Sequence, residues 1–288
     1  MNSSRNELLK TVLKNNQVRT LVNENEISAE EIDLNLNTLL AFVLKSKKCE
    51  NCKGLGLCEQ ASTGYGPVLS YNGVKFDLDY LECSYLKEEE KKEQLKKNLK
   101  LLSCNFDNLN LEDVYVNPLR KNVLVKIKEC LDKYEKGENI KGLYIHGKYG
   151  CGKTYLLAYL AKTLANNGHQ VIFAYYPDLA RNLRSAISTG ELEELVEELK
   201  SIEVLVLDDF GGETMTNYLR DEVLGAILQE RMINKKLTFM SSNLDEKLLI
   251  QHLKESKSNI DDVRASRIYE RIRVLMDFIE LSDQNYRN

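Results

Sequence analysis

The octet Gly147-Lys148-Tyr149-Gly150-Cys151-Gly152-Lys153-Thr154 has the spacing G-x-x-x-x-G-K-T, and few folds can carry it. Residues 142–146 form a short apolar run that predicts a buried strand, and residues 155–164 carry the apolar spacing of a helix. A glycine-rich turn between strand and helix lets consecutive backbone N–H groups converge on one anion, and the helix adds its positive N-terminal end. Lysine at the seventh position reaches β- and γ-phosphates, and the threonine beside it can ligate Mg²⁺. A chance glycine turn would lack those flanks. The octet is read as the cradle of a nucleoside triphosphate, ATP, with Lys153 as its cation and Thr154 as a Mg²⁺ ligand.

Hydrolysis needs a carboxylate at the end of a neighbouring buried strand. Val204-Leu205-Val206-Leu207-Asp208-Asp209 supplies two. Asp208 is placed to hold Mg²⁺ through water, and Asp209 to orient or deprotonate the attacking water. Residues 237–243 repeat the pattern with a polar end, where Asn243 can hydrogen-bond the γ-phosphate or the nucleophilic water. Arg264, Arg267 and Arg271 share one face of a predicted helix, opposite Ile268, Ile272 and Leu275. Arg267 first, and Arg271 second, could serve a neighbouring subunit's γ-phosphate. On spacing alone a solvated basic face is an equal reading. Strands at 142–146, 171–176, 204–207, 237–241 and 276–281 alternate with helices at 123–135, 154–166, 179–188, 192–200, 220–234 and 261–273. That order predicts an α/β fold with a parallel sheet covered on both faces.

The 288 residues suffice for two domains, or one with an appendage. Residues 1–44 predict helices, with Ser28 and Glu31 as a capping box. Residues 68–71 and 74–77 alternate as strands around Asn72-Gly73, a hairpin signal. Residues 87–100 are almost all Lys, Glu, Gln and Leu, the pattern of a solvated helix. The expected division is a helical and zinc-binding domain at 1–86, a charged linker at 87–103 and the nucleotide domain at 104–288. The zinc expectation rests on Cys49-x₂-Cys52-x₅-Cys58 followed by Cys83: four thiols in a segment too small for a self-sufficient core. An odd total of seven cysteines argues against a full disulfide framework. Cys104, Cys130 and Cys151 do not cluster, and packing is the favoured role for each. No run is apolar enough to span a bilayer and residues 1–14 lack a signal-peptide core, so a cytoplasmic protein is expected. A net charge of −4 leaves nucleic-acid contact to a local patch.

Together these elements resemble an AAA+ ATPase. The finer match is to the helicase loaders of bacterial replication, the DnaI/DnaC group. Phe106-Asp107-Asn108-Leu109 is similar to that group's segment ahead of the P-loop, Leu207 to Glu213 to its Asp-Asp signature, Thr238 to Leu244 to its sensor strand, and Ser266 to Ile272 to its arginine segment. The resemblance covers residue 104 onward, and the cysteine module extends it toward the DnaI type, whose N-terminal zinc domain engages the helicase. It implies ATP-dependent loading of the hexameric replicative helicase onto single-stranded DNA, alongside other primosome proteins and with self-association through the AAA+ domain. It also implies a DNA contact, for which Tyr175, Tyr176, Arg181 and Arg184 are candidates; a buried tyrosine pair beside a solvated helix face is the weightier reading. No helical lid is expected after the last strand, and Asp209 stands where many AAA+ proteins use Glu, so slow turnover is expected. The runner-up is a transposase helper of the IstB type, which resembles only the C-terminal part. A small-molecule kinase lacks an acceptor pocket in the sequence, and a zinc-dependent adaptor that binds ATP without turnover shares the binding motifs.

Overall fold

The computed structural model describes residues 2–106, 117–190, 192–254 and 262–282. Residues 107–109 of the segment ahead of the P-loop lie outside them. The chain divides into two compact units, Met1–Glu93 and Gln94–Asn288.

In the first unit, helices Asn2–Leu13, Asn16–Glu24, Ala29–Leu34 and Leu36–Glu50 pack with a hairpin of β1 (Tyr65–Tyr71) and β2 (Phe76–Glu82). The capping box forms: Ser28 N–H donates to Glu31 Oε2 at 2.9 Å, and Glu31 N–H donates to Ser28 Oγ at 3.3 Å. Val12, Val18, Ile32, Leu39, Phe42 and Val43 make the core with Leu69 and Phe76. The hairpin turn is longer than Asn72-Gly73 alone, because Tyr71 pairs with Phe76. Asn72 Oδ1 accepts the N–H groups of Val74 and Lys75 at 3.1 and 3.0 Å, which takes both residues out of the strand ladder.

The second unit is built on six parallel strands: β3 (Leu99–Leu102), β4 (Gly142–His146), β5 (Val171–Tyr175), β6 (Val204–Phe210), β7 (Leu237–Ser242) and β8 (Met276–Glu280). Their order across the sheet is β3-β5-β6-β7-β4-β8. Both faces are apolar, and alternate residues divide between them. Ile172, Ala174, Leu205, Leu207 and Met240 pack under helices Tyr176–Thr189, Gly225–Ile233 and Asp262–Leu275. Val171, Phe173, Val204, Val206 and Phe239 pack against helices Lys121–Glu135 and Lys153–Asn166. Gly142 is required by space alone, since a Cβ there would stand 1.8 Å from the Thr238 carbonyl oxygen.

One expectation is corrected here. The 87–103 linker is a helix only as far as Asn98, in Ser84–Asn98, and Leu99–Leu102 is the edge strand of the sheet, paired with β5. Asn98 is buried and donates to Ala165 O at 2.9 Å. The leucines of this stretch belong to the core even though its lysines and glutamates dominate the composition. Among the described residues no helix is long and apolar enough to cross a membrane.

Candidate nucleotide site

The ends of β4, β6 and β7 lie side by side at the carboxyl edge of the sheet, where ligands bind in open α/β folds. The octet leaves β4 at that edge. Gly150 and Gly152 have φ of +76° and +95°, a region that side chains disfavour and that this tight turn requires. Behind the loop, the buried Arg120 donates from Nη2 to Cys151 O at 2.9 Å. A Cβ on Gly152 would lie 2.5 Å from that nitrogen. Cys151 is fully buried in the core, in keeping with a packing role.

Two chains of hydrogen bonds cross a cavity of about 390 Å³. In one, Lys153 Nζ donates to Gly147 O and Lys148 O, both at 2.9 Å, and to Asn243 Oδ1 at 2.7 Å. Asn243 Nδ2 then donates to Asp209 Oδ1 at 3.0 Å. In the other, the Thr154 hydroxyl donates to Asp208 Oδ2 at 2.9 Å and the Ser241 hydroxyl to Asp208 Oδ1 at 2.6 Å. Ser241 Oγ also accepts the Asp209 N–H at 2.9 Å. Asp208 is 3% exposed, and burial raises its pKa against the two hydroxyl donors that lower it. Asp209 has φ +58°, at the bulge where the β6–β7 register shifts. That kink turns successive aspartates to different tasks, Asp208 toward Thr154 and Asp209 toward Asn243.

The paired Thr154 hydroxyl and Asp208 carboxylate are the all-oxygen set that Mg²⁺ takes beside phosphates. Lys153 brings a cation to the same cavity, held by the Gly147 and Lys148 carbonyls and the Asn243 amide. Ser241, which bonds both the Asp208 carboxylate and the Asp209 N–H, was not singled out from the sequence; a serine at a strand end carries no signal of its own.

The remaining candidates separate. The Tyr175 hydroxyl donates to Asp209 Oδ2 at 3.3 Å and lines the nucleotide cavity. Its pKa is raised by burial first and then by the Asp209 charge. Tyr176 is 1% exposed with its ring 4.7 Å from that of Phe210, so it offers no base-stacking face. Arg184 donates to Thr214 O at 2.8 Å; Arg181 is exposed and pairs with Asp178 at 2.9 Å. The arginine row also divides. Arg264 bonds Asp221 at 3.1 Å and Arg271 donates to Gly225 O at 2.9 Å, while Arg267 is exposed. None of the three histidines lines the nucleotide cavity.

The four N-terminal cysteines are free and do not assemble the expected zinc site: among the described residues, no three His, Cys, Asp or Glu side chains converge to hold a metal. Cys49 Sγ receives Gln60 Nε2 at 3.1 Å, the Cys52 thiol donates to Gly54 O at 3.7 Å, and backbone bonds at Gly64 and Gln60 hold the Cys58 thiol below its ordinary pKa. Burial pushes Cys104 up to about 11 and Cys130 to about 12, so neither is a thiolate at neutral pH.

Residues 1–80 match the family model for the N-terminus of the primosomal protein DnaI, and residues 87–288 match that for IstB-like ATP-binding proteins. The replicative helicase loader DnaI of Bacillus subtilis is 34% identical over 292 residues, covering 98% of this chain and 93% of that one. The replicative helicase loader DnaC of Buchnera aphidicola from Acyrthosiphon pisum is 29% identical over 149 residues, 51% of this chain and 58% of that one. The crystal structure of DnaI superposes with a TM-score of 0.58 at 35% identity, covering 67% of this chain and all of that one.

Proposed function

The chain belongs to the DnaI family of replicative helicase loaders, with its second unit of the IstB-like ATP-binding type on an AAA+ fold, and from that membership we propose a division of labour between its units. The N-terminal unit engages the hexameric replicative helicase. The second unit binds and hydrolyses ATP and contacts single-stranded DNA while the helicase is placed on it, together with other primosome proteins. The observation that carries the ATPase part is the convergence of Lys153, Thr154, Asp208, Asp209 and Asn243 on one cavity.

In this reading the γ-phosphate takes Lys153 away from Asn243. The freed amide then orients the attacking water together with Asp209, which accepts its proton. Mg²⁺ bound by Thr154 and, through water, by Asp208 would neutralise charge on the β- and γ-oxygens. A zinc ion in the first unit is supported by the cysteine spacing alone and would have to draw the thiols from their present partners. The IstB-type transposase helper accounts for the second unit but not for the match over residues 1–80.

The test is capture of the replicative helicase by the full chain and by residues 1–86, with and without ATP. Retention by both supports the division. Equal retention by a fragment lacking residues 1–86 refutes it.

A further inference from the structure

Glu213 is a buried charged group that the chemistry above does not use. Its side chain is 0% exposed. Oε2 accepts the Gly211 N–H at 2.8 Å, and Oε1 accepts from His252 Nε2 at 2.8 Å. Burying a carboxylate is costly unless donors compensate it, and two do so here. Gly211 is the second residue after Asp209 and has φ +94°. Gly212 N–H donates back to Asp209 O at 3.2 Å. The turn that leaves Asp209 is therefore fixed by Glu213 from within and by His252 from outside. His252 lies on helix Glu246–Lys254, which begins just beyond Asn243. The pair joins the segment carrying Asp209 to the helix that follows Asn243, outside the nucleotide cavity. Asp209 itself keeps a left-handed backbone at φ +58°, which persists in a non-glycine residue only where its surroundings over-determine it.

We propose that Glu213 is a positioning residue for ATP hydrolysis: clasped by His252, it holds the Gly211-Gly212 turn and so sets where the Asp209 carboxylate points, without touching nucleotide. The inference rests on the reading of Asp209 as the group that activates water. The other titratable groups that Glu213 faces are Tyr144 of β4 and Tyr176 of helix Tyr176–Thr189. Burial, ahead of the Glu213 charge, raises the pKa of both tyrosines, so they stay neutral at physiological pH.

The experiment measures kcat, ATP affinity and melting temperature for the full chain, as wild type, Glu213→Ala and Glu213→Gln. Glu213→Ala should lose about tenfold or more in kcat, since small misplacements of a reacting group carry that cost, with ATP affinity within about threefold of wild type. Glu213→Gln keeps an acceptor for Gly211 N–H and a polar partner for His252. Its kcat should match wild type within about threefold, so the conservative variant rescues what Glu213→Ala loses. A purely structural role would lower the melting temperature and impair ATP affinity along with kcat rather than splitting the two. If Glu213→Ala does not fold, His252→Ala, which opens the clasp and keeps the carboxylate, decides by the same loss of kcat at unchanged ATP affinity. Wild-type kcat in folded Glu213→Ala, or in His252→Ala where Glu213→Ala does not fold, overturns the inference. A wild-type chain that binds ATP without hydrolysing it overturns the Asp209 reading and this inference with it.

Discussion

Replacing Gly152 by alanine separates two costs that the structure places at one atom. The first is backbone: at φ +95° an L-residue is about 1–2 kcal/mol less favourable than glycine. The second is steric. The new methyl would stand 2.5 Å from Arg120 Nη2 and 3.3 Å from its Cζ. A guanidinium is the far end of a flexible side chain, but this one is 4% exposed and bonded to Cys151 O, so it cannot move without giving up that bond. A buried charged hydrogen bond is worth about 1.5–3 kcal/mol. The sum, about 2.5–5 kcal/mol, is below the usual stability of a domain, so the chain stays folded and the loop rearranges instead. ATP binds only the formed cradle, and its apparent affinity should fall by about 60-fold to 4,000-fold. Calorimetric titration with ATP measures this directly. In an Arg120→Ala background the same substitution should cost only the backbone term, about 1–2 kcal/mol. ATP binding within about threefold of wild type, or an equal cost in both backgrounds, refutes the account.

Lys153→Ala should abolish tight ATP binding, which nucleotide titration will show, because the phosphates lose their fixed cation. Arg267→Ala should leave ATP affinity unchanged and remove any rise of per-subunit ATPase rate with protein concentration; the internally bonded Arg271 is the weaker choice for that role. Burial lowers the pKa of His146, ahead of neighbouring carboxylates that raise it. The folded state thus prefers the neutral ring, and stability is full above the unfolded value, near 6.5, and falls as pH drops below it. Denaturant titrations should show His146→Gln losing less stability than wild type between about pH 7 and 5.

The second unit was readable because its signals are local and repeated: β4, β6 and β7 are apolar runs that lead into glycine, acid and amide, and these ends meet at the same sheet edge. What escaped were contacts that spacing cannot express. Tyr175 sits beside arginines in sequence but beside Asp208 in the sheet register, and that pairing brings it to Asp209. Arg231 looks like a solvated helix residue, yet it is fully buried and donates to Leu199 O, Ile202 O, Leu237 O and Thr238 Oγ1. β3 was hidden because its four residues follow a highly charged helix and make sense only once β5 is beside them.

That edge strand bears on how the protein can be dissected. A fragment starting at residue 104, the boundary that motif reading recommends, would strip β3 from β5 and leave a row of unpaired amides and carbonyls on an apolar parallel sheet. Such an edge invites pairing with another copy. Oligomers of that fragment would report an exposed seam rather than the association that places an arginine beside a neighbour's phosphate. Self-assembly is best measured on chains that retain the strand.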